Sequence, residues 1–260
     1  MPEAAVRTAY EVDIAPVAAL MSDHARAAML IALLDGRPLA ASELARLAAV
    51  SAPTASAHLA RLLDGGMVTV LRQGRHRYYR LAGHEVATAI EALSRIGPPA
   101  AVRSLRQSRQ AAALAEARTC YDHLAGRAGV ELLDALLREG LLAEAGGASA
   151  GSIGDEPGRG GGPVTEMAAV RYHVTQRGTA RLAPFGIENL EAMRVSRRRF
   201  AGACLDWTQR RPHLGGSLAA AVTARLFELG WIERGPRLRS VRVTPAGRDG
   251  LAATFGWADG

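Results

Sequence analysis

The sequence predicts a mainly α chain with small β-hairpin wings, of α+β class, and three observations carry that expectation. Apolar residues recur at helical spacing through 11–35 and again through 51–63. A basic, glycine-centred turn at 72–77 lies between two short strand-forming runs. Beyond Cys120 the chain twice runs through helix, glycine stop and apolar strand.

Length and composition bound what such a chain can be. At 260 residues it can build one large core or two modest ones, so neither disulfides nor metals are needed merely to fold. Hydrophobic residues make up 48%, no run of eighteen apolar residues occurs, and MPEAAVRTAY lacks a charged segment followed by an apolar one. A cytoplasmic protein without membrane association is expected. The formal charge of +7 and pI near 10.3 favour a polyanionic partner. All 32 basic residues are Arg, which suits phosphate oxygens and guanine edges but also fits simple codon bias. Two cysteines rule out a disulfide framework.

The elements follow in chain order. Ser22 and Asp23 are placed to cap a helix through Ala27, Leu30, Ile31 and Leu34, which Asp35-Gly36-Arg37-Pro38 stops. Ser42 is placed to cap a short helix with Leu44 and Leu47 inward. Ser51 caps the next helix, Pro53 fits its first turn, and Leu59, Leu62 and Leu63 form its apolar stripe. The opposite face carries Ala52, Thr54, Ser56, Ala57, His58 and Arg61, short polar groups that allow close approach to base edges. The alternative is a capped, solvated surface helix. Asp64-Gly65-Gly66 ends it, Met67–Leu71 and Tyr78–Leu81 read as strands, and Arg72, Arg75, His76 and Arg77 surround Gly74 in the turn. That is a wing, suited to phosphates or a narrow minor groove.

Ser51-Ala-Pro-Thr-Ala-Ser-Ala-His58 through Val68, followed by Arg72-Gln-Gly-Arg-His-Arg-Tyr-Tyr-Arg-Leu81, resembles the ArsR family of winged helix-turn-helix repressors over about residues 10–97. The resemblance implies a homodimer built by residues 10–20 and His84–Ile96, with two recognition helices in successive major grooves of double-stranded DNA. It also shows what is missing. Ser42-Glu-Leu-Ala-Arg-Leu47 lacks the cysteine pair of the family's arsenic and cadmium sensors, and His84, Glu85 and Glu91 are followed by no second histidine.

Gly97-Pro98-Pro99 places a boundary, dividing the chain into a DNA-binding and dimerisation domain (1–97), a connecting helix (98–118) and a C-terminal domain (119–260). In the connecting helix, Arg103, Arg106 and Arg109 lie along one side, either solvated or grazing phosphates. His123–Leu142 aligns without a gap on His213–Ile232, Cys120-Tyr-Asp122 matches Cys204-Leu-Asp206, and Val174-Thr-Gln-Arg-Gly178 matches Val243-Thr-Pro-Ala-Gly247. The C-terminal half is therefore expected to be a pair of winged-helix-like repeats, 119–186 and 200–256, with a flexible glycine-rich loop at 146–163. The whole extension is similar to that of some regulators bearing an ArsR-like module, a likeness that names no ligand.

Cys120, His123, Cys204 and His213 leave three readings open: ordinary packing, a redox or metal sensor site, or a catalytic thiol. The last requires Cys120, Asp122 and His123 to assemble nucleophile, orienter and base from what would be one helix turn, so no enzyme activity and no cofactor are expected. Asp122 and Asp206 either cap helices or pair with arginines. Trp207, Phe227 and Trp231 either belong to the core or line a pocket with Arg210 and Arg211, and Arg197–Arg199 faces phosphate, an acidic partner or water. The candidate DNA contacts are Ser51, Pro53, Thr54, Ser56, His58, Arg61, Arg72, Arg75 and Arg77, and a small-molecule or redox effector is left unidentified.

Overall fold

A computed structural model of the chain describes residues 12–98, 104–145 and 170–258, which fall into one unit ending at Ile90 and a second beginning at Glu91. The first unit contains α1 (Ala15–Met21), α2 (His24–Leu33), β1 (Leu39–Ala40), α3 (Ala41–Leu47), α4 (Ala52–Asp64), β2 (Val68–Gln73) and β3 (His76–Leu81). The next helix, α5 (His84–Ile96), crosses the division, which falls within the helix and not at Gly97-Pro98. Glu91 there is buried and ion-paired with Arg239, and so belongs with the second unit.

Asp23 caps α2 by accepting from the Arg26 amide at 2.9 Å, while the Arg26 side chain donates to Leu20 O and Ala19 O at 2.7 and 2.8 Å. One buried arginine thus satisfies the terminal carbonyls of α1 and ties it to α2. Ser42, expected to cap α3, lies inside it. Leu39 and Ala40 are paired with Tyr79 and Tyr78, so the chain leaves a strand and starts the helix at once, with no side-chain cap. Ala49, at φ 54°, makes the left-handed turn into α4. The core gathers Met29, Leu30, Leu33, Leu34, Leu44, Leu59, Leu62 and Leu81. Leu63, expected inward, is 39% exposed, because α4 buries the stripe Ala55, Leu59 and Leu62 and the next residue turns about 100° away.

The sheet order is β1-β3-β2. Pairing of β2 with β3 continues to Gln73 opposite His76, so the turn is only Gly74-Arg75, with Gly74 at φ 56°. Arg72 and Arg77, expected in the turn, face each other across the ladder.

The second unit contains α6 (Leu105–Glu116), β4 (Arg118–Cys120), β5 (His123–Ala125), α7 (Arg127–Arg138), β6 (Leu142–Glu144), β7 (Tyr172–Val174), α8 (Gln176–Phe185), α9 (Leu190–Arg194), β8 (Gly202–Leu205), β9 (Pro212–Gly215), α10 (Ser217–Glu228), β10 (Ile232–Arg234), β11 (Val241–Val243) and α11 (Pro245–Phe255). An order of hairpin, helix, hairpin, helix runs from β4 to α8 and again from β8 to α11. Local chemistry recurs with it. Gly126 and Gly216 start α7 and α10 at φ 76° and 102°, and a Cβ at either would meet backbone carbonyls at 3.0 Å or less. Thr175 and Thr244 cap α8 and α11, each accepting from the amide three residues on at 2.9 Å. The connecting helix stops at Glu116, short of Arg118, because Arg118 opens β4 with its side chain fully buried. The expected loop 146–163 lies outside the described residues.

Candidate functional site

In the first unit the candidate DNA contacts lie on α4 and the β2–β3 hairpin. Ser51 Oγ accepts from the Thr54 amide at 3.3 Å and lies 2.7 Å from Thr54 Oγ1, which fixes the start of α4 and orients both hydroxyls. Pro53 occupies the first turn, where a missing N–H leaves no helical bond unmade. Ser51, Pro53, Thr54, Ser56 and Arg61 are all exposed. His58 differs: its half-buried ring sits 3.7 Å from Asp23, on the inner side of the helix. Arg72, Arg75 and Arg77 are exposed on the hairpin, and Arg80 donates across the ladder to Thr69 Oγ1 at 3.2 Å. Two arginines directly opposite each other repel, so this strand pair places positive charge against its own stability.

In the second unit Cys120, His123, Cys204 and His213 come together, with their ligand atoms all within 4.8 Å of one another. Cys120 and His123 are not on a helix, as expected, but opposite each other on the β4–β5 ladder. The reason is Tyr121, at φ 62°, which closes a two-residue turn that no helix continues. Cys204 and His213 are opposed in the same way on β8–β9, whose ladder runs on to Leu205 opposite Pro212 before the loop 206–211. The sulfurs are 3.9 Å apart and the imidazoles stack with centroids 5.2 Å apart.

Two carboxylates back the histidines. Asp122 lies 3.2 Å from His123 Nδ1 and takes a two-pronged grip from Arg198. Burial works against its charge, but His123 and Arg198 hold its pKa at about 2. Asp206 accepts from Gly126 N, Thr208 N, Thr208 Oγ1 and Gln209 N, pairs with Arg118 at 2.9 Å, and lies 3.6 Å from His213 Nδ1. Burial opposes its charge too, and Arg118 and His213 still hold it well below the usual carboxylate range. Both aspartates are thus internal partners of arginine, one of the two expected roles. The Arg118–Asp206 pair was missed in the sequence because its members lie 88 positions apart. The hydrogen bond with Cys204, together with burial, pushes the Cys120 thiol far up from its ordinary value.

The other expectations separate. Trp207 lies under Arg118 and Phe227 under Arg234, while Trp231 lines a groove with Arg181, Phe185 and Arg225, so the three aromatics have different neighbours. Arg211 pairs with Asp134. In the arginine run, Arg198 serves Asp122 and Arg199 donates to Ala203 O, so two of its three members are turned inward rather than to phosphate or solvent. Among the described residues no helix is long and apolar enough to cross a membrane.

A family model described as a helix-turn-helix domain matches residues 21–70. Over 236 residues the chain is 39% identical to the Bacillus subtilis (strain 168) protein named "Uncharacterized HTH-type transcriptional regulator YdfF", covering 91% of this chain and 94% of that one. Among solved structures, HlyU from Vibrio cholerae N16961 is 31% identical, with 31% of this chain and 87% of HlyU covered and a TM-score of 0.30. The solution structure of the homodimeric winged helix-turn-helix domain of Mb0332 from Mycobacterium bovis is 29% identical, with 34% and 89% covered and a TM-score of 0.30.

Proposed function

The chain belongs to the HTH-type transcriptional regulators, and on that premise we propose that it is an ArsR-like, homodimeric, sequence-specific repressor acting on double-stranded DNA in the cytoplasm. The observation that carries this reading is one capped helix with an exposed polar N-terminal half, packed beside a hairpin that carries Arg72, Arg75 and Arg77. Thr54, Ser56 and Arg61 approach base edges in the major groove, while Ser51 and the first amides of α4 meet phosphate. The hairpin arginines hold the flanking backbone or minor groove. His58 acts from behind, setting the N-terminal half of α4 against Asp23. For the dimer, support comes from the resemblance already described and from Val12, Ile14 and Val17, which leave an apolar surface around the start of α1 at 85%, 72% and 42% exposure.

The second unit, in this reading, is an internal duplication that modulates the DNA-binding unit. A catalytic use of Cys120 is disfavoured, since its thiol is buried against Cys204. Titration of promoter fragments at several salt concentrations tests the proposal. Specific retardation that weakens as salt rises supports it, and the absence of any specific complex overturns it.

A further inference from the structure

Four side chains in the second unit point to a function independent of DNA contact. We propose that Cys120, His123, Cys204 and His213 hold one Zn2+ in a closed tetrahedral Cys2His2 site that fastens the β4–β5 hairpin to the β8–β9 hairpin.

The spacing of the two sulfurs fits the ion. With Zn–S of about 2.3 Å, two sulfurs of a tetrahedral site stand about 3.8 Å apart; here they are 3.9 Å apart. The donor set of two thiolates and two imidazoles selects zinc over harder cations, and with four protein ligands no coordination position is left for a substrate.

The buried nitrogens supply an independent argument. His123 Nε2 and both ring nitrogens of His213 are buried without a hydrogen-bond partner. Such atoms cost stability unless something else binds them. In each histidine Nδ1 faces an aspartate, Asp122 at 3.2 Å or Asp206 at 3.6 Å, leaving Nε2 to ligate. Each aspartate is pinned in turn by an arginine, Arg198 or Arg118. Carboxylate behind imidazole behind metal is the outer arrangement that orients and strengthens histidine ligands. Gly215 keeps the space open: a Cβ there would lie 3.1 Å from Cys204 Cβ and 3.6 Å from His123 Nε2.

The charge also balances. Two thiolates neutralise Zn2+, and each aspartate is matched by its arginine, so no net charge is left buried. Binding releases the two thiol protons, and the extra proton of any imidazolium among the ligands, to solvent, and no electron moves. A Cys120–Cys204 disulfide would use the sulfurs but leave the imidazole nitrogens without partners.

The test uses the full chain, reduced and stripped of metal, then titrated with Zn2+ and with Co2+ as a spectroscopic substitute. The expected result is one equivalent per chain, with the visible bands of tetrahedral Co2+ and a thiolate-to-cobalt charge-transfer band. Cys204→Ser and His213→Gln should abolish the charge-balanced site, and Asp122→Asn should weaken metal binding about 10–100-fold while leaving all four ligands in place. The proposal is overturned if the reduced, folded wild-type chain takes up no Co2+ or shows only an octahedral spectrum. It is equally overturned if the chain isolates with a Cys120–Cys204 disulfide whose reduction opens no metal binding. Because these outcomes are read on the wild-type chain, a variant that fails to fold does not obscure them, and none depends on DNA.

Discussion

Ser51 shows how much one side chain settles. Its hydroxyl caps α4 and orients Thr54, so a single atom serves both helix stability and the presentation of a DNA-facing group. Ser51→Ala should lower stability by about 1 kcal/mol in chemical denaturation, and weaken DNA binding more than that loss alone explains. Glu91 is the titratable counterpart. Burial disfavours its carboxylate, but Arg239, Arg118 and His213 more than compensate, and its pKa is lowered. A lowered folded-state pKa means the pair's stabilisation is fully present above the unfolded value of about 4.3 and fades as pH falls through the folded value. Glu91→Gln should therefore cost on the order of 3 kcal/mol at neutral pH, with the gap to wild type closing below about pH 4.3 in denaturation series. A loss equally large at pH 3 would contradict this.

At the scale of elements, the hairpin and α4 divide the labour of DNA recognition. Removing a phosphate contact weakens binding to all sequences alike, so Arg75→Ala should lower the slope of log affinity against log salt by about 1 without changing the preferred site. Thr54→Ala or Ser56→Ala should instead relax preference at one base pair by about 1–3 kcal/mol, measured by competition between matched and mismatched duplexes. Much of this unit was legible in the sequence because its signals are local: a capping serine, proline in the first turn, a helical stripe and a glycine turn. What escaped depends on neighbours distant in the chain. Ser42 looked like a cap until β1 paired with β3, and His58 looked outward until α2 supplied Asp23. The Cys-x-Asp pairs were visible as a repeated motif, but two strands opposing Cys to His, and two arginines gripping the aspartates, required the fold. Pairings 84 and 88 positions apart leave no periodic trace.

For the molecule as a whole, the arginines divide between those left exposed and those paired with carboxylates. In the first unit, Arg61, Arg72, Arg75 and Arg77 remain exposed. In the second unit, Arg118, Arg198, Arg211 and Arg239 are matched by Asp206, Asp122, Asp134 and Glu91. Net charge of +7 is therefore a poor guide by itself, and its distribution is the informative quantity. The most direct test of the central claim is equilibrium binding of the full chain to genomic promoter fragments across a salt series, with Arg75→Ala alongside. The account predicts specific complexes whose affinity falls steeply with salt, and less steeply for the variant. Binding that ignores sequence, or wild type and variant with identical salt slopes, would contradict it.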